Sequence, residues 1–277
     1  MKLVRFLRND HESFGVLSGS VVFELSKLYS SFEALLQDCL VRGSAILESK
    51  KATCSVDDVV ILPSLPGGRG RLFALGWNYV SHAEEVNHPK DEYPYFFMKG
   101  EASLVGAEQP IVKPSISDSF DFEGELVAVI GKPGKCIDEG DALSHVAGYT
   151  ILNDGSIRDW QKRDGVLQGK NFDNSSSVGP YIVTADEVGD PASLHLETRL
   201  NGELMQSSST GSVYFSFPFL ISYLSRFTEL KPGDAISSGT PGGVGHKRDP
   251  QVFMAAGDVV EVSISELGVL RNEVINE

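Results

Sequence analysis

Cysteine is scarce in this sequence, and the cysteines that occur do not form a recognisable motif. Cys39, Cys54 and Cys136 are odd in number and lie far apart along the chain. A disulfide framework or a cysteine-based zinc site needs paired cysteines at short spacings, so both kinds of site are excluded. A few scattered thiols are typical of a reducing compartment, and we expect a cytoplasmic protein.

Long hydrophobic runs are also missing. Arg5 and Arg8 interrupt the N-terminal segment before the apolar core of a signal peptide could form. The most apolar stretch, residues 213–224, is broken by serines and by Pro218. It is shorter than the roughly 20 residues that a membrane-spanning helix requires. The sequence therefore predicts no association with a membrane.

Basic residues are outnumbered by acidic ones. The chain has 24 lysines and arginines against 38 aspartates and glutamates, which gives a formal net charge of −14. Nucleic acids and anionic membrane surfaces repel such a chain, so we expect neither as a partner. A small anionic substrate would need a local cation, and a bound metal ion can supply it.

The rest of the composition is that of a globular protein rich in turns. Hydrophobic residues make up 41% of the 277 residues and charged residues 22%, while 28 glycines and 13 prolines favour short strands over long helices. Residues 63–70 form the densest run of proline and glycine. This run predicts a domain boundary, with a small N-terminal domain over residues 1–65 and a larger domain over residues 66–277.

Short strand-like segments dominate beyond residue 70. They include RLFALG, YFFMK, ELVAVIG, AGYTILN, GPYIVT, HLETRLNG, DAISSG and VVEVSIS. Asn201-Gly202 is typical of a tight hairpin turn, and a helix is predicted after Ser216, with Pro218 in its first turn. Consecutive strands with few intervening helices argue against βαβ units, and so against a doubly wound sheet.

Two glutamates open one of the most apolar strands. Because successive side chains alternate between the faces of a strand, Glu123 and Glu125 point the same way, about 7 Å apart. Two such carboxylates raise each other's pKa unless a cation lies between them. The alternative is a pair of solvated glutamates at the end of a strand.

A third acid, Asp154, ends the strand GYTILN and precedes a polar cluster that includes Arg158 and Gln161. Alone, Asp154 is equally typical of a helix N-cap. Together with Glu123 and Glu125 it would form a hard oxygen site. Such a site suits Mg²⁺, Mn²⁺ or Ca²⁺ rather than zinc, which prefers histidine and cysteine.

His82 and Glu85 form a second candidate pair. Ser81 and Glu84 match the S-x-x-E capping box, which predicts that a helix starts there. His82 and Glu85 would then share a helical face, and a histidine held by a carboxylate can act as a general base. An ordinary exposed ion pair is the alternative, although the neighbouring Trp77 and Tyr79 favour a shielded site.

The glycine-rich segment over residues 238–245 carries Gly239 and Thr240. It lacks the spacing of a phosphate-binding Walker loop, but its glycines permit close approach of a ligand and Thr240 offers a hydroxyl donor. A plain hairpin loop is the competing interpretation. The G-x-S-x-G motif of serine hydrolases is absent from the sequence.

The order of these segments is more specific than any one of them. GWNYVSHAEE, FFMKG, DFEGELVAVIGK, GYTILND with IRDWQ, GKNFD, GPYIVT, RLNGE with Gln206, SSGTPGGVG and GDVVEV follow one another. Over residues 70–274 this arrangement resembles the fumarylacetoacetate hydrolase family. The resemblance implies an α+β fold, which is a strand-rich mixed β-sandwich or roll with a small N-terminal α/β domain. It also implies a catalytic domain over residues 66–277 and, usually, a homodimer.

The resemblance also implies roles for individual residues. Glu123, Glu125 and Asp154 would bind Mg²⁺ or Mn²⁺, and His82 backed by Glu85 would activate water. Substrate contacts are implied for a further set: Tyr79, Arg158, Gln161, Lys170, Gly239 and Thr240. Lys170 would also steady a developing oxyanion.

The implied substrate is a small anionic keto acid. The expected reaction is hydrolysis of a carbon–carbon bond in a 1,3-diketo acid, such as an acylpyruvate, with the metal as Lewis acid. The same machinery serves decarboxylation of oxaloacetate-like acids and keto–enol isomerisation. The His82–Glu85 pair favours the hydrolase, because water activation is needed for hydrolysis. A metal-binding protein without catalytic activity is the alternative from another class.

Overall fold

The computed structural model describes residues 1–48, 50–67 and 70–277. Strands predominate, and the helices are short. The strands are β1 Lys2–Arg8, β2 His11–Ser18, β3 Val21–Glu24, β4 Cys54–Ser55, β5 Val60–Ile61, β6 Leu72–Gly76, β7 Tyr95–Lys99, β8 Leu104–Val105, β9 Ile111–Lys113, β10 Phe120–Asp121, β11 Gly124–Ile130, β12 Val146–Asn153, β13 Ser156–Ile157, β14 Ser176–Thr184, β15 His195–Leu200, β16 Glu203–Ser209, β17 Ala235–Ser237, β18 Val259–Ile264 and β19 Gly268–Asn276. The helices are α1 Phe32–Arg42, α2 Val80–Glu85, α3 Arg158–Asp164, α4 Val166–Gly169, α5 Ala185–Val188 and α6 Phe217–Phe227.

Two mixed sheets carry most of these strands. The larger sheet has the order β4-β3-β2-β1-β14-β12-β11-β17-β6-β7, with β5 beside β1 and β8 beside β14. The smaller sheet has the order β16-β15-β18-β19-β9. Neighbouring strands are mostly antiparallel, whereas β17 with β6, β14 with β8 and β19 with β9 are parallel. The fold is α+β, which confirms the prediction.

Strand β11 lies between two hydrophobic cores. Leu126, Ala128 and Ile130 pack into the core that also holds residues of the smaller sheet and of α6. Val127 and Val129 face the other way, into a core shared with α1 and β14. Because both faces are covered, every residue of β11 is buried, as its continuous apolar sequence predicts.

The N-terminal strands belong to the same sheet as the later ones. β1 pairs with β14, where Lys2 is opposite Val183 and Leu3 is opposite Ile182. The predicted boundary near residues 63–70 includes Gly68 and Arg69, which lie outside the described residues. The division into segments 1–65 and 66–277 stays a prediction.

Two local predictions are confirmed at particular residues. Asn201 and Gly202 join β15 to β16 with positive φ angles of 53° and 81°, which suit a tight hairpin turn. Helix α6 starts at Phe217, directly after Ser216, and has proline in its first turn. In the described part of the chain, no helix has the length and apolar character needed to cross a membrane.

Candidate metal centre and its cavity

Three carboxylates meet where β11 begins and β12 ends. The pairing of Gly124 with Asn153 places Glu123, Glu125 and Asp154 at this junction. One oxygen of each lies within 4.8 Å of the others, and all three side chains are buried. The structure therefore brings together the three acids that the sequence singled out. Three hard oxygen donors without histidine or cysteine fit a cation such as Mg²⁺ or Mn²⁺.

Backbone hydrogen bonds fix the first of these acids. The amide of Asp154 donates to the carbonyl of Glu123 at 2.8 Å, and the amide of Glu123 donates to Oδ1 of Asn153 at 3.1 Å. The next residue, Gly124, is held by Gln206 and Thr240. Its amide donates to Gln206 Oε1 at 3.0 Å, and its carbonyl accepts from the Thr240 hydroxyl at 3.0 Å. The glutamates are thus presented on a rigid segment.

Positive side chains surround the carboxylates. Lys170 Nζ lies 2.6 Å from Glu123 Oε2 and 2.8 Å from Asp154 Oδ2. Lys99 Nζ lies 2.6 Å from Asp154 Oδ1, and it also donates to the carbonyl of Lys170. Arg158 Nη2 lies 2.6 Å from Glu123 Oε1. These contacts compensate negative charges that burial would otherwise make very costly.

The buried charges shift the pKa values of the two glutamates in opposite directions. Burial raises the pKa of Glu123, but the charges of Lys170 and Arg158 outweigh burial and hold it far below the usual range. Burial, together with the nearby Asp154 and Glu123 carboxylates, raises the pKa of Glu125 well above its ordinary value. A divalent cation would favour the ionised form of Glu125, because it would offset that repulsion.

His82 and Glu85 lie on α2 as a contacting pair. His82 Nδ1 is 3.3 Å from Glu85 Oε2, and the other oxygen of Glu85 accepts from the Gly243 amide at 2.9 Å. Burial raises the pKa of Glu85, but the hydrogen bonds from His82 and Gly243 dominate and lower it. The predicted shared face is confirmed.

The predicted capping box is wrong. Helix α2 begins at Val80 with Tyr79 as its N-cap, and that cap has no side-chain hydrogen bond. Ser81 lies inside the helix, where its hydroxyl accepts from the Gly242 amide at 3.1 Å. A backbone amide from the glycine-rich segment has replaced the local one as the partner of the serine. Asp154 is likewise not an N-cap, since Ile157 precedes α3.

A cavity of about 720 Å³ opens beside the carboxylates. Its lining includes the predicted residues His82, Glu123, Arg158, Gln161, Lys170 and Thr240. Trp77 and Tyr95 also line it, and the Trp77 ring stacks on His88 with centroids 4.2 Å apart. The lining of the cavity therefore combines charged side chains with the aromatic side chains of Trp77 and Tyr95.

Comparison with known proteins shows the family of this chain. Residues 71–275 match the family model "Fumarylacetoacetate (FAA) hydrolase C-terminal". The chain belongs to the fumarylacetoacetate hydrolase family. It is 38% identical over 289 residues to the mitochondrial oxaloacetate tautomerase of Xenopus laevis, with 99% of this chain and 90% of that protein covered.

Solved structures of the fumarylacetoacetate hydrolase family agree with this assignment. The fumarylacetoacetate hydrolase from psychrophilic Exiguobacterium antarcticum has a TM-score of 0.84 and 33% identity, with 100% of both chains covered. The 5-carboxymethyl-2-hydroxymuconate delta-isomerase from Mycobacterium smegmatis has a TM-score of 0.79 and 31% identity, covering 100% of this chain and 99% of that one. A tautomerase, a hydrolase and an isomerase are thus similar to this family member, which supports enzyme activity without fixing the reaction.

Two predicted substrate contacts of this family member lie away from the cavity lining. Tyr79 is fully buried, and burial raises the pKa of its hydroxyl. Gly239 has a φ of 75°, and a Cβ there would lie 2.9 Å from the carbonyl oxygen of Leu75. Neither residue lines the cavity. The position of Gly239 allows the glycine-rich segment to pack closely against Leu75 and Asn78.

Sequence reasoning assigned no role to Lys99 or to Asp121. Lys99 sits at the end of the strand YFFMK, and a lysine in an otherwise apolar strand was the only signal available. Asp121 is fully buried and lies two residues before Glu123. Its Oδ2 accepts from Arg158 Nε at 2.8 Å. Asp121 therefore neutralises part of the positive charge of Arg158, the residue that was predicted to contact the substrate.

Proposed function

We propose that this family member is a divalent-metal-dependent tautomerase of oxaloacetate or a similar small 2-oxo acid. The observation that carries this proposal is that Glu123, Lys170 and His82 line one cavity. One oxygen each of Glu125 and Asp154 lies within 4.8 Å of an oxygen of Glu123. The similarity to an oxaloacetate tautomerase over 99% of the chain favours keto–enol isomerisation over the hydrolysis that we expected from sequence. Keto–enol isomerisation and decarboxylation of oxaloacetate-like acids are the alternatives to hydrolysis that the sequence leaves open.

Glu123, Glu125 and Asp154 would hold the cation. A divalent cation at this position would act as a Lewis acid on the 2-oxo group and favour the enol form. Lys170 supplies a second positive charge beside the same carboxylates, so it can stabilise negative charge that develops on the substrate oxygen. Gln161 lines the cavity, and its side-chain amide can donate a hydrogen bond to a carboxylate. Thr240 also lines the cavity, but its hydroxyl donates to the carbonyl of Gly124 and has no second proton for a substrate.

His82 is the group placed to move the proton. Its Nδ1 faces Glu85, so Nε2 is the nitrogen left for the substrate. In the forward reaction a neutral imidazole takes a proton from carbon 3 of the keto form and delivers it to the 2-oxo oxygen. No bond between carbon atoms breaks, and no water is consumed. Glu85 orients the ring and stabilises its protonated form.

Exchange of the carbon 3 protons of oxaloacetate for deuterium tests this function. The protein with Mg²⁺ should accelerate the exchange, measured by NMR in D₂O, and excess chelator should abolish the acceleration. His82→Ala should reduce the rate by roughly 10²–10⁴, while Mg²⁺ affinity stays near the wild-type value. Wild-type exchange no faster than that with Mg²⁺ alone would contradict the proposal.

Hydrolysis of a carbon–carbon bond is the second candidate, because the contact between His82 and Glu85 is also suited to activate water. Acylpyruvates provide the discriminating substrates, since hydrolysis releases two acids and tautomerisation releases none. Product analysis by NMR separates the two reactions directly. Stoichiometric release of pyruvate at a rate above that of oxaloacetate enolisation would favour the hydrolase.

A further inference from the structure

The cavity has a positive lining in a strongly acidic chain. Four of its lining residues are arginine or lysine, namely Arg158, Lys162, Lys170 and Lys247, whereas the lining carboxylates are Glu123 and Asp159. The chain as a whole has a net charge of −14. A local excess of positive charge in a cleft concentrates anions there.

Two of these four cations are already engaged by the protein. Arg158 uses Nε on Asp121 and Nη1 on Gln161, at 2.8 and 3.0 Å, and its Nη2 lies 2.6 Å from Glu123. Lys170 is paired with Glu123 and Asp154. Neither side chain can move to a distant part of a substrate without leaving a buried carboxylate unpaired.

Lys162 and Lys247 are different. Both line the cavity and are exposed to solvent. Within residues 1–48, 50–67 and 70–277, neither amine has an ion-pair or hydrogen-bond partner. Their charges are therefore available to a ligand, and they lie on two separate elements, α3 and the turn at residues 245–247.

Buried Asp121 ties these two elements together. Its Oδ2 accepts from Arg158 Nε on α3, and it also accepts from the His246 amide at 3.1 Å and lies 3.2 Å from His246 Nδ1. Lys247 directly follows His246, and Lys162 lies one helical turn after Arg158. The Asp121 carboxylate thus holds α3 and the turn at residues 245–247 in fixed positions. The backbone positions of Lys162 and Lys247 are fixed as well, which limits the region that their two amines can reach.

We propose that Lys162 and Lys247 form a subsite for a second carboxylate, the one farthest from the metal-binding carboxylates, so that this protein selects dicarboxylic 2-oxo acids. This inference rests on the proposed function only for the end of the substrate that faces Glu123, Glu125 and Asp154. The cavity volume of about 720 Å³ leaves room for diacids longer than a four-carbon acid. Long, flexible lysine side chains can follow such a carboxylate over a range of chain lengths.

Binding of two matched ligands tests the subsite without relying on turnover. 2-Oxoglutarate and 2-oxopentanoate have the same number of carbons and the same 2-oxo acid end, but only the first has a distal carboxylate. Calorimetric titration of the Mg²⁺-loaded protein should show a preference of about tenfold for 2-oxoglutarate at low salt, decreasing as salt screens the charges. The double variant Lys162→Met/Lys247→Met should lose most of that preference and leave 2-oxopentanoate binding unchanged.

Two further double variants test whether the preference depends on positive charge at residues 162 and 247, on the net charge of the protein, or on the shape of the lysine side chains. Lys27→Met/Lys50→Met removes the same total charge at exposed positions outside the cavity lining, and it should keep the wild-type preference. Lys162→Arg/Lys247→Arg keeps both charges and should also keep it. Equal binding of the two ligands by wild type, or a preserved preference in the methionine double variant, would overturn the proposal. A wild type that prefers the diacid but does not exchange carbon 3 protons would leave the subsite standing and remove the tautomerase.

Discussion

Lys99 Nζ lies 2.6 Å from Oδ1 of Asp154, and solvent reaches neither side chain. Burial lowers the pKa of Lys99, while the Asp154 charge opposes that shift. Removal of Lys99 leaves Lys170 to compensate the buried charges of both Asp154 and Glu123, so part of that negative charge goes unpaired. Lys99→Met should therefore reduce the free energy of unfolding by about 3–5 kcal/mol in the presence of chelator.

The loss should be smaller with saturating Mg²⁺, because a cation bound to Asp154 replaces part of the missing charge. Urea unfolding with chelator and with Mg²⁺ measures both values. Lys113→Met is the matched control, since Lys113 pairs with the fully exposed Asp118 and should matter little. Equal effects of the two substitutions would show that the buried pair does not carry the stability assigned to it.

Metal binding should release protons in a pH-dependent way. The raised pKa of Glu125 means that its carboxyl keeps a proton above the range in which an ordinary glutamate ionises. A cation that coordinates Glu125 must displace this proton, so affinity should fall as pH falls through the raised pKa. Calorimetric titration with Mn²⁺ in two buffers of different ionisation enthalpy measures the released protons. Glu125→Gln should bind more weakly and release none, and buffer-independent heats in wild type would argue against Glu125 as a ligand.

Gly124 is a position where a methyl group should disturb the site. A Cβ there would overlap Oγ1 of Thr198 and lie 2.9 Å from Cγ1 of Val262. Gly124→Ala should cost about 1–3 kcal/mol of stability and weaken metal binding, because the shift moves both Glu123 and Glu125. Thermal unfolding and Mn²⁺ titration measure the two effects.

Thr198→Ala makes the test of Gly124 more specific. Among the residues that the structure describes, the buried Thr198 hydroxyl has no hydrogen-bond partner. Its removal should therefore be nearly neutral alone and should restore part of the metal affinity in the double variant. Gly140→Ala is the control, because a Cβ at Gly140 meets nothing within 4 Å. A double variant as impaired as Gly124→Ala would locate the damage elsewhere.

Glu85 should contribute stability only above acidic pH. Its folded-state pKa is lowered by hydrogen bonds from His82 and Gly243 that outweigh burial. The contribution is therefore fully present above the unfolded pKa, about 4.3, and is lost as pH falls through the folded value. Its size should stay below about 1 kcal/mol, because the side chain is only partly shielded from solvent. Unfolding of wild type and Glu85→Gln across this range should show curves that converge in acid, and a constant gap would contradict the assignment.

The sequence predicted the strands and the three acids because both depend on local patterns. Alternation of side chains along the extended segment that leads into β11 put Glu123 and Glu125 on one face. Asp154, directly after β12, lies beside them because β12 pairs with β11. Lys99 and Asp121 could not be predicted in the same way. Asp121 meets His246 from 125 residues away, and such a contact exists only after the sheets have packed.

Ser81 shows the converse error, in which a correct local motif is overridden. Its pattern with Glu84 matches a capping box, in which the serine hydroxyl would accept from a backbone amide of the same helix. In the structure the hydroxyl accepts from the amide of Gly242 instead. Local hydrogen bonds at a helix start contribute only about 1 kcal/mol, so a tertiary partner can replace them. The type of reaction could not be predicted from the sequence either, because a histidine paired with a carboxylate, as in His82 and Glu85, can activate water or transfer a proton equally well.

The position of β11 between two cores has a consequence for hydrogen exchange. Its amides pair with β12 on one side and with β17 on the other, under cover on both faces. Local opening cannot expose them without separating both cores, so their exchange should proceed only through global unfolding. Any ligand that binds the folded protein would then slow exchange at Val127 and Val129 by the full factor by which it stabilises the fold. These two amides would report occupancy of the neighbouring carboxylates for the whole molecule.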